Sequence, residues 1–361
     1  MFPGWWHRRH PPAPVAVLLM ALAVLAATGC SGSEKAPVGN AVAVQPVPEP
    51  ETTTSTVAPT TTSTTRPPPP TYPLTGLPAA DAVIAARAAV AVKIDNIAEA
   101  RPQAGIRAAD VVYEEFTEGV TRFIAVYHSN NAEVVGPVRS VRPADPVIVT
   151  PLGGVLGFSG GSPGAEALAR EAPLTVVTES DTAVMYRRPG RVAPHNLYTS
   201  TAGLWSRVPA EAGSPKPFAQ FLTEGKSFTG AGATPVSSLH LVPADNVVAD
   251  WDWDPAARAW LRSTNGTAHS TEEGRIAPTT VIVQFTPYEF FVDDYSVMYP
   301  QVVGSGDVWV FAAGSLVTGT WTKAAPEAVT TFTDSNGAPV VLPPGQTWVH
   351  LVGPGSTVTT G

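Results

Sequence analysis

The sequence predicts a mixed unit, α+β or α/β, over residues 73–215, followed by a small all-β barrel or sandwich over residues 241–353. Three observations carry that expectation. In the first region apolar runs of strand length alternate with helical patterns, as in VLGFSGGSPGAEALAREA, a strand, a Gly-rich loop and then a helix. In the second, short strands such as VIVQF, DVWVFAAG, LVTGTWTK and TWVHLVG are separated by Gly, Pro or Asn-Gly turns, with no convincing helix. Residues 216–240, rich in Gly, Ser and Pro, read as the linker between them.

The chain begins MFPGWWHRRHPP, a short basic stretch, and continues APVAVLLMALAVLAATGC. An apolar run of about 15 residues ending in small residues is the layout of a secretory signal, and it is shorter than the ~20 residues a membrane-spanning helix needs. Ala27-Thr28-Gly29-Cys30 resembles a bacterial lipobox, with residues 1–29 as the signal peptide and Cys30 as the lipidated residue. The alternative is a plain secreted protein cleaved near Ala27. Residues 30–72 then form a Pro- and Thr-rich tether, without any apolar period from which a core could be built. Cys30 is the single cysteine, so no internal disulfide framework exists.

AAVAVKID, ending at Asp95, reads as a buried strand, with Lys93 and Asp95 on one face and placed to pair with each other. VVYEEFTEGVTRFIAVYH reads as a hairpin turning at Glu118-Gly119, with Glu114, Glu115, Glu118 and Arg122 at a solvated end. GPVRSVRPAD follows. In a regular strand Arg139 and Arg142 would face opposite ways, but Pro143 suits the first position of a helix, PADPVIVTPLG, and so lets the strand end between them. Arg142 then stands at a helix N-terminus with Asp145 in the first turn. That geometry fits a structural Arg142–Asp145 pair or a site for an outside anion. LTVVTES is another strand, AGLWSRV a short helix, and VADWDWDPAARAWLRSTNG a hairpin around Asp254-Pro255.

Two further stretches carry candidate chemistry. GFSGG matches the G-x-S-x-G pattern of a hydrolase nucleophile elbow at Ser159, with Asp181 and His195 following in order. The same loop offers Ser162 before Pro163 as a helix N-cap, and Gly160 and Gly161 as an anion-binding nest. RRPGRVAPHNLY places His195 and Asn196 in a polar loop, as a general base and ligand contact or as loop-holding residues. Nine tryptophans, mostly in the second half, suit either a core or a sugar-stacking surface. No His/Cys/Asp spacing matches a metal site, and no cofactor is expected. A net charge of −8 without basic runs argues against a nucleic-acid partner.

YPLTGLP, VAVKIDN, ARPQAGIRAADVVYEE, TRFIAVYHS, VGPVRSVRPAD, GGSPGAEAL and APHNLY, then NGTAH, GSGDVWVFAAGSLVTGTWTK and PPGQTWVHLV, resemble the YerB-like bacterial lipoproteins. That family is built from an N-terminal and a C-terminal domain of unknown function, and the likeness covers essentially everything after Tyr72. It implies a lipid-anchored envelope protein, and the tether adds the expectation that the folded part projects from the outer face of the cytoplasmic membrane into the wall. It implies no reaction.

The residues add an expected binding site for an anionic envelope ligand, a wall glycan, peptide carboxylate or polyphosphate. Its members are Arg139, Arg142, Asp145, Gly160, Gly161, Ser162, His195 and Asn196. The competing expectations are a hydrolase or transferase using Ser162 or Ser159 with His195, and a scaffold whose β half docks another envelope protein. The sequence gives no oligomeric state.

Overall fold

The run AVAVKID is apolar on both faces until its end, as a strand covered on both sides must be. In the computed structural model, which describes residues 70–244 and 247–361, it forms β1 (Val90–Asp95), with all six residues buried. The signal peptide, Cys30 and nearly all of the tether lie outside the described residues. β2 (Val111–Thr117) and β3 (Val120–Tyr127) make the expected hairpin. Glu118 and Gly119 at its tip have φ of 52° and 80°, the left-handed pair that a two-residue turn requires. β1 pairs antiparallel with β3 and parallel with β4 (Val155–Phe158), which in turn pairs parallel with β5 (Thr175–Thr178).

Helices are few and short. α1 (Ala82–Ala86) is capped by Asp81, whose carboxylate accepts from the N–H groups of Val83 and Ile84. α2 (Asp145–Val149) starts later than the expected Pro143, with Ala144 as its N-cap, and passes into a 3-10 turn at Thr150–Leu152. α3 (Pro163–Glu171) begins where the sequence placed it, on Ser162 and Pro163, and carries an exposed Glu166–Arg170 pair at 3.2 Å. Among the described residues no helix is long and apolar enough to cross a membrane.

The second half corrects the expected barrel. Its strands Thr280–Phe285, Gly304–Ala312 and Ser315–Lys323 continue the sheet of the first half instead of closing on themselves. The junction is the Thr347–Val352 strand, which lies parallel to Thr280–Phe285 on one side and to β2 on the other, with Glu114 opposite His350. An 11-stranded mixed sheet results. A second sheet of five strands, including Ser238–Ala244, Val247–Asp254 and Ala259–Thr264, packs on one face of it.

The two faces of the large sheet hold separate cores. Ala91, Val111, Ile124, Val141, Val149 and Phe158 belong to one; Val92, Val112, Phe123, Trp251, Trp260 and Trp348 belong to the other. Four of the β-half tryptophans (Trp251, Trp260, Trp321 and Trp348) are at most 1% exposed, which removes them from any sugar-stacking surface. Trp253 and Trp309 are half-buried.

Glu114 and Glu115 are buried rather than solvated, and strand alternation sends them to opposite faces. Glu114 receives Arg262 on both oxygens (2.7 and 2.9 Å), Trp348 Nε1 at 3.0 Å and Thr121 Oγ1 at 2.8 Å. The guanidinium lies 4.9–5.6 Å from the ring centroids of Trp348, Trp251 and Phe123. Because Glu114 and Arg262 come from different halves, removing one leaves an uncompensated buried charge. Arg262→Ala is expected to cost about 3–5 kcal/mol in urea denaturation, and the shared sheet should unfold in one cooperative transition. Two separated transitions would show that the halves are independent.

Candidate functional site

On the opposite face, β1 ends in charge. Lys93 and Asp95 share a face, but the expected pair between them does not form; each is claimed by groups from elsewhere. Lys93, with no exposed surface, donates to Glu115 and to Asp145 Oδ1, the latter at 2.8 Å. Burial raises the Glu115 carboxyl; Lys93 opposes that shift and Asp145 adds to it. Asp145 Oδ2 accepts the backbone N–H of Arg142 at 2.8 Å, so this carboxylate neutralises Lys93 rather than the Arg142 guanidinium. The expected Arg142–Asp145 side-chain pair is therefore replaced. Arg142 turns instead to Glu118, with Thr117 Oγ1 at 3.2 Å and the Val141 carbonyl at 2.8 Å.

Arg139 and His195 meet on one oxygen. Arg139 Nε is 3.0 Å and His195 Nδ1 2.7 Å from Asp95 Oδ2, and Asp95 has no exposed surface. Two segments bring them there. Residues 138–141 insert between the ends of β1 and β4: the Arg139 N–H donates to the Lys93 carbonyl, and the Ser159 N–H to the Arg139 carbonyl. The Val138 N–H donates to the Leu197 carbonyl at 2.7 Å, which docks the loop that carries His195. Gly161 is needed for the close approach, since a Cβ there would come 2.8 Å from the Val141 side chain; Gly160 has φ of +87°.

Behind Arg139 stands Arg122, 4% exposed, whose Nη2 donates to Glu118 at 2.9 Å. Its Nε and Nη1 are buried without a hydrogen-bond partner. Burial, then the neighbouring Arg142, with Arg139 adding to it, pulls its pKa down to about 10. Three guanidiniums thus crowd around two carboxylates, Asp95 and Glu118. Arg101 adds a fourth nearby cation, its Nη2 donating to the Asn96 carbonyl at 2.7 Å. Arg139 keeps both Nη groups, and His195 its Nε2, without a partner among the described residues, at side chains 20% and 15% exposed.

The other expected members are placed differently. The Ser162 side chain makes no capping hydrogen bond, while its carbonyl accepts from Glu166 at 3.0 Å. Asn196 Oδ1 accepts from Arg187 at 2.8 Å, a loop-holding contact. Asp181 is paired with Arg207 and not with His195. His195 is oriented by Asp95, but neither Ser159 nor Ser162 hydrogen-bonds to it, so the elbow pattern has no assembled Ser–His couple. The cavity of about 420 Å³ beside α2 and α3 is lined by Pro143, Pro146, Leu168 and Tyr299, not by these arginines. Asp95 is the member the sequence reading left out of the site, although a carboxylate closing a strand that is apolar but for Lys93 was the available signal.

Residues 74–214 match the family model described as protein of unknown function (DUF3048), N-terminal domain, and residues 239–349 match its C-terminal domain. The chain is 28% identical over 290 residues to the protein named putative lipoprotein YerB of Bacillus subtilis, covering 78% of this chain and 85% of that one. The crystal structure of YerB from Bacillus subtilis superimposes with a TM-score of 0.69 at 23% identity, covering 80% of this chain and 99% of that chain, a likeness of fold.

Buried ionisable groups around the sheet set the response to acid. Burial, helped by Arg262, holds His269 down at about 2; burial also holds His350 and His128 at about 4. These histidines take up a proton only on unfolding, so falling pH favours the unfolded chain from about 6.5 downward. Asp110, raised to about 6 by burial, and Glu115, also raised, act oppositely, keeping in the fold a proton that the unfolded chain releases. Burial pushes Glu114 up, but Arg262 and then His350 outweigh it and hold it at about 2, so its contribution is lost as pH falls below about 4.5. Three histidines against two carboxyls leave a net uptake of about one proton on unfolding, so urea stability should fall by about 1.4 kcal/mol per pH unit between about pH 6.5 and 4.5 and more steeply below. His269→Gln should make the slope below pH 6.5 shallower by about 1.4 kcal/mol per pH unit; an unchanged slope would mean that His269 titrates normally in the fold.

Proposed function

This chain belongs to the YerB-like DUF3048 family, and from that premise we propose that it is a lipid-anchored envelope protein that binds an anionic ligand where β1 ends. One observation carries the reading. Arg139 Nε faces Asp95 at ion-pair distance without a hydrogen bond, and neither its two Nη groups nor Nε2 of His195, which meets the same oxygen through Nδ1, has a partner among the described residues. A guanidinium paired in charge at one edge and with both Nη groups unpartnered suits a carboxylate or phosphate. Arg122, Arg139, Arg142 and the nearby Arg101 gather positive charge here, in a chain whose net charge is −8. That local excess favours an anion over a cation or a neutral group.

The arginines lie far along the sheet from the first described residues. Tyr72 packs edge-on against His128 with ring centroids 5.8 Å apart, just past the end of β3, where Tyr127 lies opposite Val90 at the start of β1. Arg122 lies opposite Asp95 at the other end of the same pair. The tether therefore joins about 17 Å of strand away from the arginines.

Two measurements test the proposal. Cys30→Ala should move the full chain from the membrane fraction to the soluble fraction, and retention in the membrane would overturn the anchor. In calorimetric titration with poly(glycerol phosphate) and inorganic polyphosphate, Arg139→Ala should lose about 1.5–3 kcal/mol, roughly 10- to 150-fold in affinity. Arg139→Lys should recover only part, because the planar fork is missing. Equal affinity of Arg139→Ala and the parent chain would sink the binding site.

A further inference from the structure

A second cleft shares no residue with the arginine site. Its volume is about 620 Å³, and one wall is the segment 222–228, which falls between the two family matches. Trp253 and Thr279 from the second half line the opposite side, with Pro343 and Pro344 completing it. Trp253 is held rigidly. It packs on Trp260 with centroids 5.4 Å apart, and Gly314, at φ of +69°, lies so close that a Cβ there would come 2.8 Å from Trp253 Nε1. Trp253 Nε1 has no hydrogen-bond partner among the described residues, and the ring is half-buried.

Two cations stand on the rim. Lys226 and Arg258 are exposed, line the cleft, and make no side-chain hydrogen bond or ion pair among the described residues. Glu224 lies on the same rim and offsets one of them, so the cleft is positive by one charge. A fixed aromatic ring, an indole N–H without a partner among the described residues, hydroxyls from Thr223 and Ser227, and an excess cation form a specific combination. The ring offers an apolar platform for the C–H face of a pyranose, the hydroxyls match sugar hydroxyls, and the cations match a carboxylate. A volume of this size is ordinary for a small-ligand site.

We propose that this cleft binds an acidic saccharide, a pyranose chain bearing carboxylates, independently of the anion site at Arg139. The probe is trigalacturonic acid added to the whole folded chain, read by the indole Nε1–H resonance of Trp253, which Trp253→Phe assigns. The expected result is a saturable shift of that resonance. Replacing Lys226 and Arg258 together by alanine, both being exposed, should weaken binding about five- to tenfold with no change in the unfolding midpoint. The fully methyl-esterified trisaccharide, with the same shape and no charge, should bind about tenfold more weakly. Citrate should leave the resonance in place. No saturable shift at millimolar trigalacturonate overturns the site; an equal affinity for the ester overturns its acidic specificity, and an equal response to citrate overturns the saccharide. Arg139→Ala should bind the trisaccharide as the parent does, so the two sites fail separately.

Discussion

The Glu114–Arg262 pair is the interaction on which the rest of the structure depends. Both side chains are fully enclosed by aromatic rings, where an ion without its partner would be very unfavourable. Every carboxylate oxygen has a donor, with Trp348 and Thr121 supplying what Arg262 does not. Such a network tolerates one register only. If β2 slipped by one residue against the Thr347–Val352 strand, Glu114 would exchange faces with Glu115 and both would lose their cations. Arg262 and Lys93, on opposite faces, thus lock the same strand.

That lock explains why the charged end of β1 is so well ordered. Glu115 and Asp145 hold Lys93, and the Asp145 carboxylate simultaneously fixes the Arg142 backbone, which sets where residues 138–141 enter the sheet. Asp95 is then left as the one buried carboxylate available to Arg139 and His195. Each carboxylate has a distinct assignment, and the outward Nη groups of Arg139 are what remains after those assignments are filled.

Local order was legible in the sequence. β1, the Glu118–Gly119 hairpin, the Ser162–Pro163 start of α3 and the strands after residue 280 follow from periodicity and turn chemistry, which act over a few residues. The sequence also grouped Arg139 with His195 in one expected site, and both side chains reach Asp95. What stayed hidden were partnerships across long separations. Nothing near Glu114 announces an arginine 148 residues away, so a buried carboxylate looked like a solvated hairpin end. The same blindness made the second half look like a closed barrel, because strand patterns do not reveal which edge a strand will join. Asp145 was assigned to Arg142 for its nearness in sequence, whereas the electrostatic need of fully buried Lys93 was the stronger constraint.

Arg122 is the place where folding alone gives an incomplete account. A guanidinium with Nε and Nη1 buried and unpaired carries a desolvation cost of about 1–3 kcal/mol for each group. A leucine or methionine in that position would avoid it. Arg122 shares Glu118 with Arg142 and stands beside Arg139, so its charge raises the positive potential at the open guanidinium edge in a medium that screens it weakly. An arginine that is unfavourable for the fold, yet adds to the field at the Arg139 guanidinium, is accounted for by the proposed anion site better than by the core.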